Sequence, residues 1–411
     1  MQRITIIGAG VVGMATASTL RREGHDVTVV DPRPPGEYCS FGNTGILSPG
    51  SIVPVAMPGI LKKVPGYLMD PMGPLAIDWT YLPKLLPWLA RFVAASELSR
   101  VEKIAASLRP LLKQTLDTWR PLAQWAGAQD LIRQDGYLIL YETEAGYQAD
   151  ALGMRLRRDH GVVCEPLTAD DIRRMEPNLR NVYIKGYFLP EQGHVRNPLR
   201  LTQALAAQFQ RDGGRILQQT VLEIETGADG PTALITDQGR LPVETLVICA
   251  GAHSNEFTRQ LGDLLPLETQ RGYHATFEEP TVTLTRPISV AERKFFVTPM
   301  EMGLRVAGSV ELAGLAPPPN YARADVLQAQ VENVIPELSA KHVSKWMGHR
   351  PCMPDSLPVI GRATRFKNVV YAFGHGHVGL CSAAPTAGLV AEIIGGRPTN
   401  IDIAPYRPDR F

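Results

Sequence analysis

The chain has 411 residues, which suggests about two domains around a sizeable core. Its composition, 44% apolar and 20% charged, is ordinary for a soluble globular protein, and a net charge of +1 excludes an electrostatic case for holding nucleic acid or an anionic membrane. The cysteines Cys39, Cys164, Cys249, Cys352 and Cys381 are odd in number, scattered and without a C-x-x-C pair, which argues against a disulfide framework or structural zinc and fits a reducing cytoplasm.

The chain passes from Met1 directly into an apolar run, residues 4–7, so no secretory signal peptide is expected. That run reads as a buried parallel strand, Val11–Arg22 as a helix and residues 26–30 as a second strand, together one β-α-β unit. Residues 36–50, rich in Gly, Ser, Asn and Pro, read as a loop. Residues 51–125 read as Pro-interrupted helices inserted to cap something. Within them 51–95 is apolar but broken by Lys62, Lys63, Asp70, Asp78, Lys84 and Arg91, so no transmembrane helix is expected. A strand at 136–141, helices at 144–160 and 197–212, strands at 215–225 and 241–249 and a helix at 253–261 follow. From 267 to 310 short β-like runs between Gly and Pro turns suggest an antiparallel sheet, a different layer from the parallel start. A helix at 321–335, the buried strand Val369–Phe373 and an apolar helix to about 394 complete the reading.

The fold expected is therefore α/β. It pairs a discontinuous Rossmann-type nucleotide domain (1–50, 191–262 and 345–411) with an α+β substrate domain built on a mainly antiparallel sheet (51–190 and 263–344).

Gly8-Ala9-Gly10-Val11-Val12-Gly13 lies after a strand and before a helix. Gly8 permits the tight turn, Gly10 lets main chain approach a pyrophosphate, and Gly13 lets the helix pack closely on the strand. The N–H groups of Val11 and Val12 then open the helix toward anionic phosphates. Asp31 closes the second strand, where a carboxylate accepts from ribose hydroxyls. This pattern alone leaves NAD and FAD both open.

Three further segments narrow it: Ser40-Phe41-Gly42-Asn43-Thr44-Gly45-Ile46, then Gly348-His349-Arg350-Pro351 with Pro354-Asp355, then Gly374-His375-Gly376-His377-Val378-Gly379-Leu380. Here the chain resembles, over essentially its whole length, the D-amino-acid oxidase superfamily, and within it the bacterial D-amino-acid dehydrogenases and their hydroxyproline- and octopine-oxidising relatives. The resemblance implies noncovalent FAD. It implies that Ser40, Asn43, Thr44, Gly45 and Ile46 pass the pyrophosphate and flavin, that Arg33 lies near the adenosine, and that the Val221 main chain meets adenine. It implies that Ala250 and Gly251 turn beside the cofactor, and that Gly374, Gly376, His377, Val378, Gly379 and Leu380 lie against the pyrimidine end of the isoalloxazine. Helix N–H groups after Gly379 would stabilise the negative charge of the reduced ring.

By the same resemblance Arg350 pairs with the substrate carboxylate, a role its forked guanidinium suits. Tyr273 either bonds that carboxylate, closes the pocket, or is a packed strand tyrosine. His375 and His377 are candidates for a base, with turn packing and main-chain contact to flavin as the plainer readings; with His349 they show no metal-binding spacing. Cys352-Met353 stands out of register with the cysteine that tethers flavin in some relatives. The expected reaction is hydride transfer from the α-carbon of a D-amino or imino acid, of proline or hydroxyproline type among others, to flavin N5. Electrons then pass to quinone or another carrier. An oxidase of glycine-, sarcosine- or opine-type amines, or a flavin subunit of a heteromeric amine oxidase, is the alternative. Residues 51–95 either cap the site, contact a partner subunit, or dock on the inner face of the cytoplasmic membrane.

Overall fold

The computed structural model describes residues 1–69 and 73–411; Asp70, one of the charges that interrupt the apolar segment, lies outside them. Arg3–Ile7 is buried on both faces from Ile4 onward, as its unbroken apolar run requires of a central parallel strand. It pairs in parallel with Asp26–Asp31 on one side and Thr245–Ile248 on the other. The six-stranded sheet runs Arg215–Gln218, Asp26–Asp31, Arg3–Ile7, Thr245–Ile248, Val369–Phe373 and Val359–Arg362, only the last strand being antiparallel. Helices Val11–Arg22 and Gly379–Ile394 share one core, in which Ala15, Ala17, Ala383 and Ala387 keep the side chains small. Residues 376–394 are long and apolar enough to cross a membrane, yet 72% of that stretch is buried, which makes it a core helix.

The nine-stranded second sheet is mainly antiparallel. From the edge strand Ala340–Cys352 inward it runs Glu268–Pro280, Gly303–Leu312 and Phe295–Met300, each antiparallel to the next. Ile288–Val290 and Tyr137–Tyr141 pair in parallel and extend it. Helix Ala322–Val334 covers one face, burying Leu327, Val331 and Val334 with Tyr273, Phe277 and Leu304. The other face looks toward the parallel sheet.

Several boundaries differ from the sequence reading. Residues 215–225 do not form one strand: Arg215–Gln218 joins the parallel sheet, and Val221–Gly227 leaves it for a separate three-stranded antiparallel sheet. The break is fixed at Gln219, whose N–H bonds Asp31 O, and at Thr220, whose N–H bonds the Asp237 carboxylate. Residues 241–249 divide likewise into Gly239–Pro242 and Thr245–Ile248. The helix expected over 144–160 breaks at Asp150, which accepts from the Tyr141 hydroxyl at 2.6 Å. Ala340–Cys352 is continuous and belongs wholly to the larger sheet, so a division at residue 345 falls inside one strand.

Candidate active site

The carboxyl ends of the parallel strands Arg3–Ile7, Asp26–Asp31, Thr245–Ile248 and Val369–Phe373 lie along one edge of the sheet. Open parallel sheets bind ligands there. The turn after the first strand leaves no space for side chains: a Cβ on Gly8, whose φ is +111°, would meet Cys249 O at 2.4 Å, and one on Gly13 would meet Gly8 O at 1.9 Å. At Gly10 the only neighbour within 4 Å of a Cβ among the described residues is Ser40 Oγ, at 3.5 Å, so a close approach stays open here. Ser40 Oγ accepts from the Val11 N–H at 2.9 Å, which puts the loop hydroxyl at the start of the helix.

Asp31 is fixed by two main-chain donors, Ala9 N–H at 2.7 Å and Arg33 N–H at 2.8 Å. Arg33 stacks over the Tyr38 ring at 4.2 Å. Val221 packs with Ile7 and Val30 beside this strand end, and Ala250 and Gly251 turn next to Gly8. The loop from Ser40 to Ile46 is shaped by Asn43, whose side chain accepts from Gly45 N–H, and by Gly45 at φ +75°. Thr44 lies between them, and Ile46 pairs with His194.

A buried cation ties this loop to the larger sheet. Arg305 donates to Phe41 O at 2.9 Å, Asn43 O at 2.8 Å and the Thr276 hydroxyl at 3.2 Å, and burial pulls its pKa down to about 10. Beside it Trp346 stacks on His274 with ring centroids 5.1 Å apart. The indole lies so close to Gly42 and Gly348 that a Cβ on either would overlap it. Arg305, Trp346 and His274 escaped the sequence reading, because nothing in local composition marks which face of a strand they occupy.

Strand register decides the face. Gln270, Gly272 and His274 oppose Arg350, Gly348 and Trp346, so these side chains share one face. Arg350 donates to Ser309 O at 3.0 Å and Gly308 O at 3.4 Å, and among the described residues it makes no ion pair. Its guanidinium lies flat over Gly272, where a Cβ would be 2.0 Å from Nη2. Burial holds it below the usual arginine range. Most of its five donor hydrogens therefore remain for an incoming acceptor.

Tyr273 is one residue out of step and faces the other way. It is 1% exposed; its hydroxyl donates to Glu311 at 2.5 Å and accepts from Asn320 N–H at 3.0 Å. The carboxylate-binding expectation for Tyr273 is thus corrected in favour of the packed strand tyrosine. Arg271 on that face is held by Glu311 and by the carbonyls of Gly314, Pro317 and Pro318.

Gly374 (φ +78°) and Gly376 (φ +51°) shape the turn into Gly379–Ile394. His375 is buried behind this turn, its Nε2 3.1 Å from the Thr386 hydroxyl, and burial pushes its pKa down to about 3. His377 lies open to the crevice, yet the protein around it, and secondarily the Arg350 charge, push it down to about 3 as well. Both imidazoles are neutral at pH 7. Val378 precedes the helix without a side-chain cap, so the N–H groups of Gly379 and Leu380 open into the turn.

The close-packed glycine turn, the open approach at Gly10, the fixed Asp31 and the helix starts suit an FAD pyrophosphate and ribose. Fold and crevice define an FAD-dependent oxidoreductase. The family model DAO, described as FAD dependent oxidoreductase, matches residues 3–393, and the chain belongs to this family. A D-amino-acid oxidase of Bradyrhizobium diazoefficiens is 42% identical over 417 residues, spanning 100% of this chain and 99% of the relative. A D-amino acid dehydrogenase of Rhizobium johnstonii is 29% identical over 97% of each chain. Glycine oxidase from Geobacillus kaustophilus superposes with a TM-score of 0.75 at 20% identity over 100% of both chains. L-proline dehydrogenase from P. horikoshii gives a TM-score of 0.74 at 19% identity, covering 100% of this chain and 97% of that one. These two establish the shared fold.

Proposed function

We propose that this enzyme oxidises the α-carbon of a D-amino or imino acid. One observation carries the reading: the half-buried Arg350 guanidinium lies against Gly272 and, among the described residues, bonds only the main-chain carbonyls of Gly308 and Ser309. Arginine in that state suits a planar anion held by two bonds, such as a carboxylate. The names of the two relatives, a D-amino-acid oxidase and a D-amino acid dehydrogenase, favour an amino acid as its bearer.

FAD held noncovalently by the Gly8–Gly13 turn, Asp31 and the helix start at Gly379 would supply a two-electron acceptor for hydride. Arg350 grips the carboxylate and orients the Cα–H bond. The amine binds as the free base, whose lone pair assists hydride departure. His375 and His377 stay neutral, so positioning and electrostatics do the work of a strong base. The N–H groups at the Gly379 helix start would favour negative charge placed beside them. The product imine hydrolyses to a keto acid, or persists as a cyclic imine from a proline-type substrate. Electrons pass to quinone or another carrier on the cytoplasmic side. The exposed Leu61, Trp79 and Leu86 offer a surface for a membrane or partner subunit. The 42% identical relative, named an oxidase, favours O₂ as the second reading of the acceptor. We assign 1–50, 191–262 and 353–411 to the FAD domain and the rest to the substrate domain, which keeps Ala340–Cys352 whole.

Anaerobic flavin bleaching against matched D- and L-amino acids tests the reaction: rapid bleaching by D-forms is expected, and none by any amino or imino acid refutes it. Arg350→Ala should raise KM for a carboxylated substrate on the order of 100-fold, with little change for a neutral amine. Equal effects on both would remove the anchor role.

A further inference from the structure

Gln270 stands directly opposite Arg350 across the two strands, and both side chains leave the sheet on the crevice face. It is 4% exposed, and among the described residues its buried Oε1 has no hydrogen-bond partner. Buried amide carbonyls are almost always satisfied, so this one points to a donor outside the folded chain. The next residue on the same face is Gly272, above which the Arg350 guanidinium lies. Gln270 and the guanidinium therefore stand side by side on one face of the sheet, one step apart along the strand. Gln270 also lines, with Cys352, Gly376 and His377, a small cavity beside the flavin-end turn.

We infer that the Gln270 side-chain carbonyl accepts an N–H from the substrate's α-nitrogen while Arg350 holds the carboxylate. The inference rests on the carboxylate reading of Arg350. An amide is an uncharged acceptor, so it orients the nitrogen without favouring the ammonium form as a carboxylate would. The lone pair of the free amine is then directed by a fixed group, and specificity for nitrogen over other α-substituents follows from the same contact.

The test uses the FAD-loaded enzyme, anaerobic flavin reduction by the best D-amino acid, and the flavin spectral shift produced by propionate, a carboxylate without nitrogen. Gln270→Leu should lower the reduction rate at limiting substrate about 10- to 100-fold, with propionate affinity unchanged. Gln270→Glu should move the acid limb of the reduction profile to higher pH, because a carboxylate holds the ammonium form. Equal losses for propionate and amino acid would mark a structural role and overturn the inference. So would a Gln270→Glu profile identical to that of the parent. If Arg350→Ala leaves the propionate shift intact, the carboxylate anchor fails on its own, while a loss in Gln270→Leu confined to amines still registers the nitrogen contact.

Discussion

At the carboxyl ends of the parallel strands the crevice is lined by main chain. On the facing side of the larger sheet it is lined by side chains. Gly8, Gly13 and the helix starts act through close approach and N–H groups; Arg350, Gln270, Trp346 and Arg305 act through what they carry and which way they point. The first arrangement tolerates almost no substitution where chain touches chain. The second tolerates many sequences, provided that strand register keeps the right residues on the crevice face.

The sharpest way to break the comparison is Gly13→Val. Its side chain would overlap Gly8 O, so FAD retention should fall below about a tenth of the parent's, measured as the ratio of flavin to protein absorbance. Acidification comes next. Burial holds His274 and His375 at about 3 against an ordinary 6.5. Below pH 6.5 the unfolded chain takes up protons that the folded chain refuses. Stability should therefore be complete above about pH 6.5 and fall toward pH 3, by up to roughly 1.4 kcal/mol per pH unit for each group. Thermal melts from pH 8 to 5 measure the slope. Tyr273→Phe probes the far face of the larger sheet: loss of the Glu311 contact should cost about 1–3 kcal/mol of stability with turnover nearly unchanged. A comparable fall in turnover would return Tyr273 to the site. Smallest of all is the effect expected of the thiol beside the turn: Cys352, whose pKa burial pushes up to about 12, should form no flavin bond. Acid precipitation should leave all flavin in the supernatant.

The same contrast explains what the sequence revealed. The glycine turn and the turn around Gly376 were legible because glycine suits their φ angles and contacts, so geometry shows directly as composition, and Asp31 was legible by its place at the end of the second strand. Arg350 was legible through its resemblance to a family motif. The face that Tyr273 occupies was not, since it depends on register with Ala340–Cys352, a partner about seventy residues away with no alternating pattern of its own. Arg305 and Gln270 were hidden for the same reason. The break at Gln219 was invisible because it is set by Asp31 O and Asp237, not by a turn residue.

Arg305 has a mechanical consequence. Its guanidinium spans from the sheet to the carbonyls of Phe41 and Asn43, and a second side chain, Trp346, wedges the same loop at Gly42. Such a strut makes the spacing between this loop and the strand bearing Arg350 a stiff dimension of the molecule, so change between the two must come from the walls around them and not from opening the jaw.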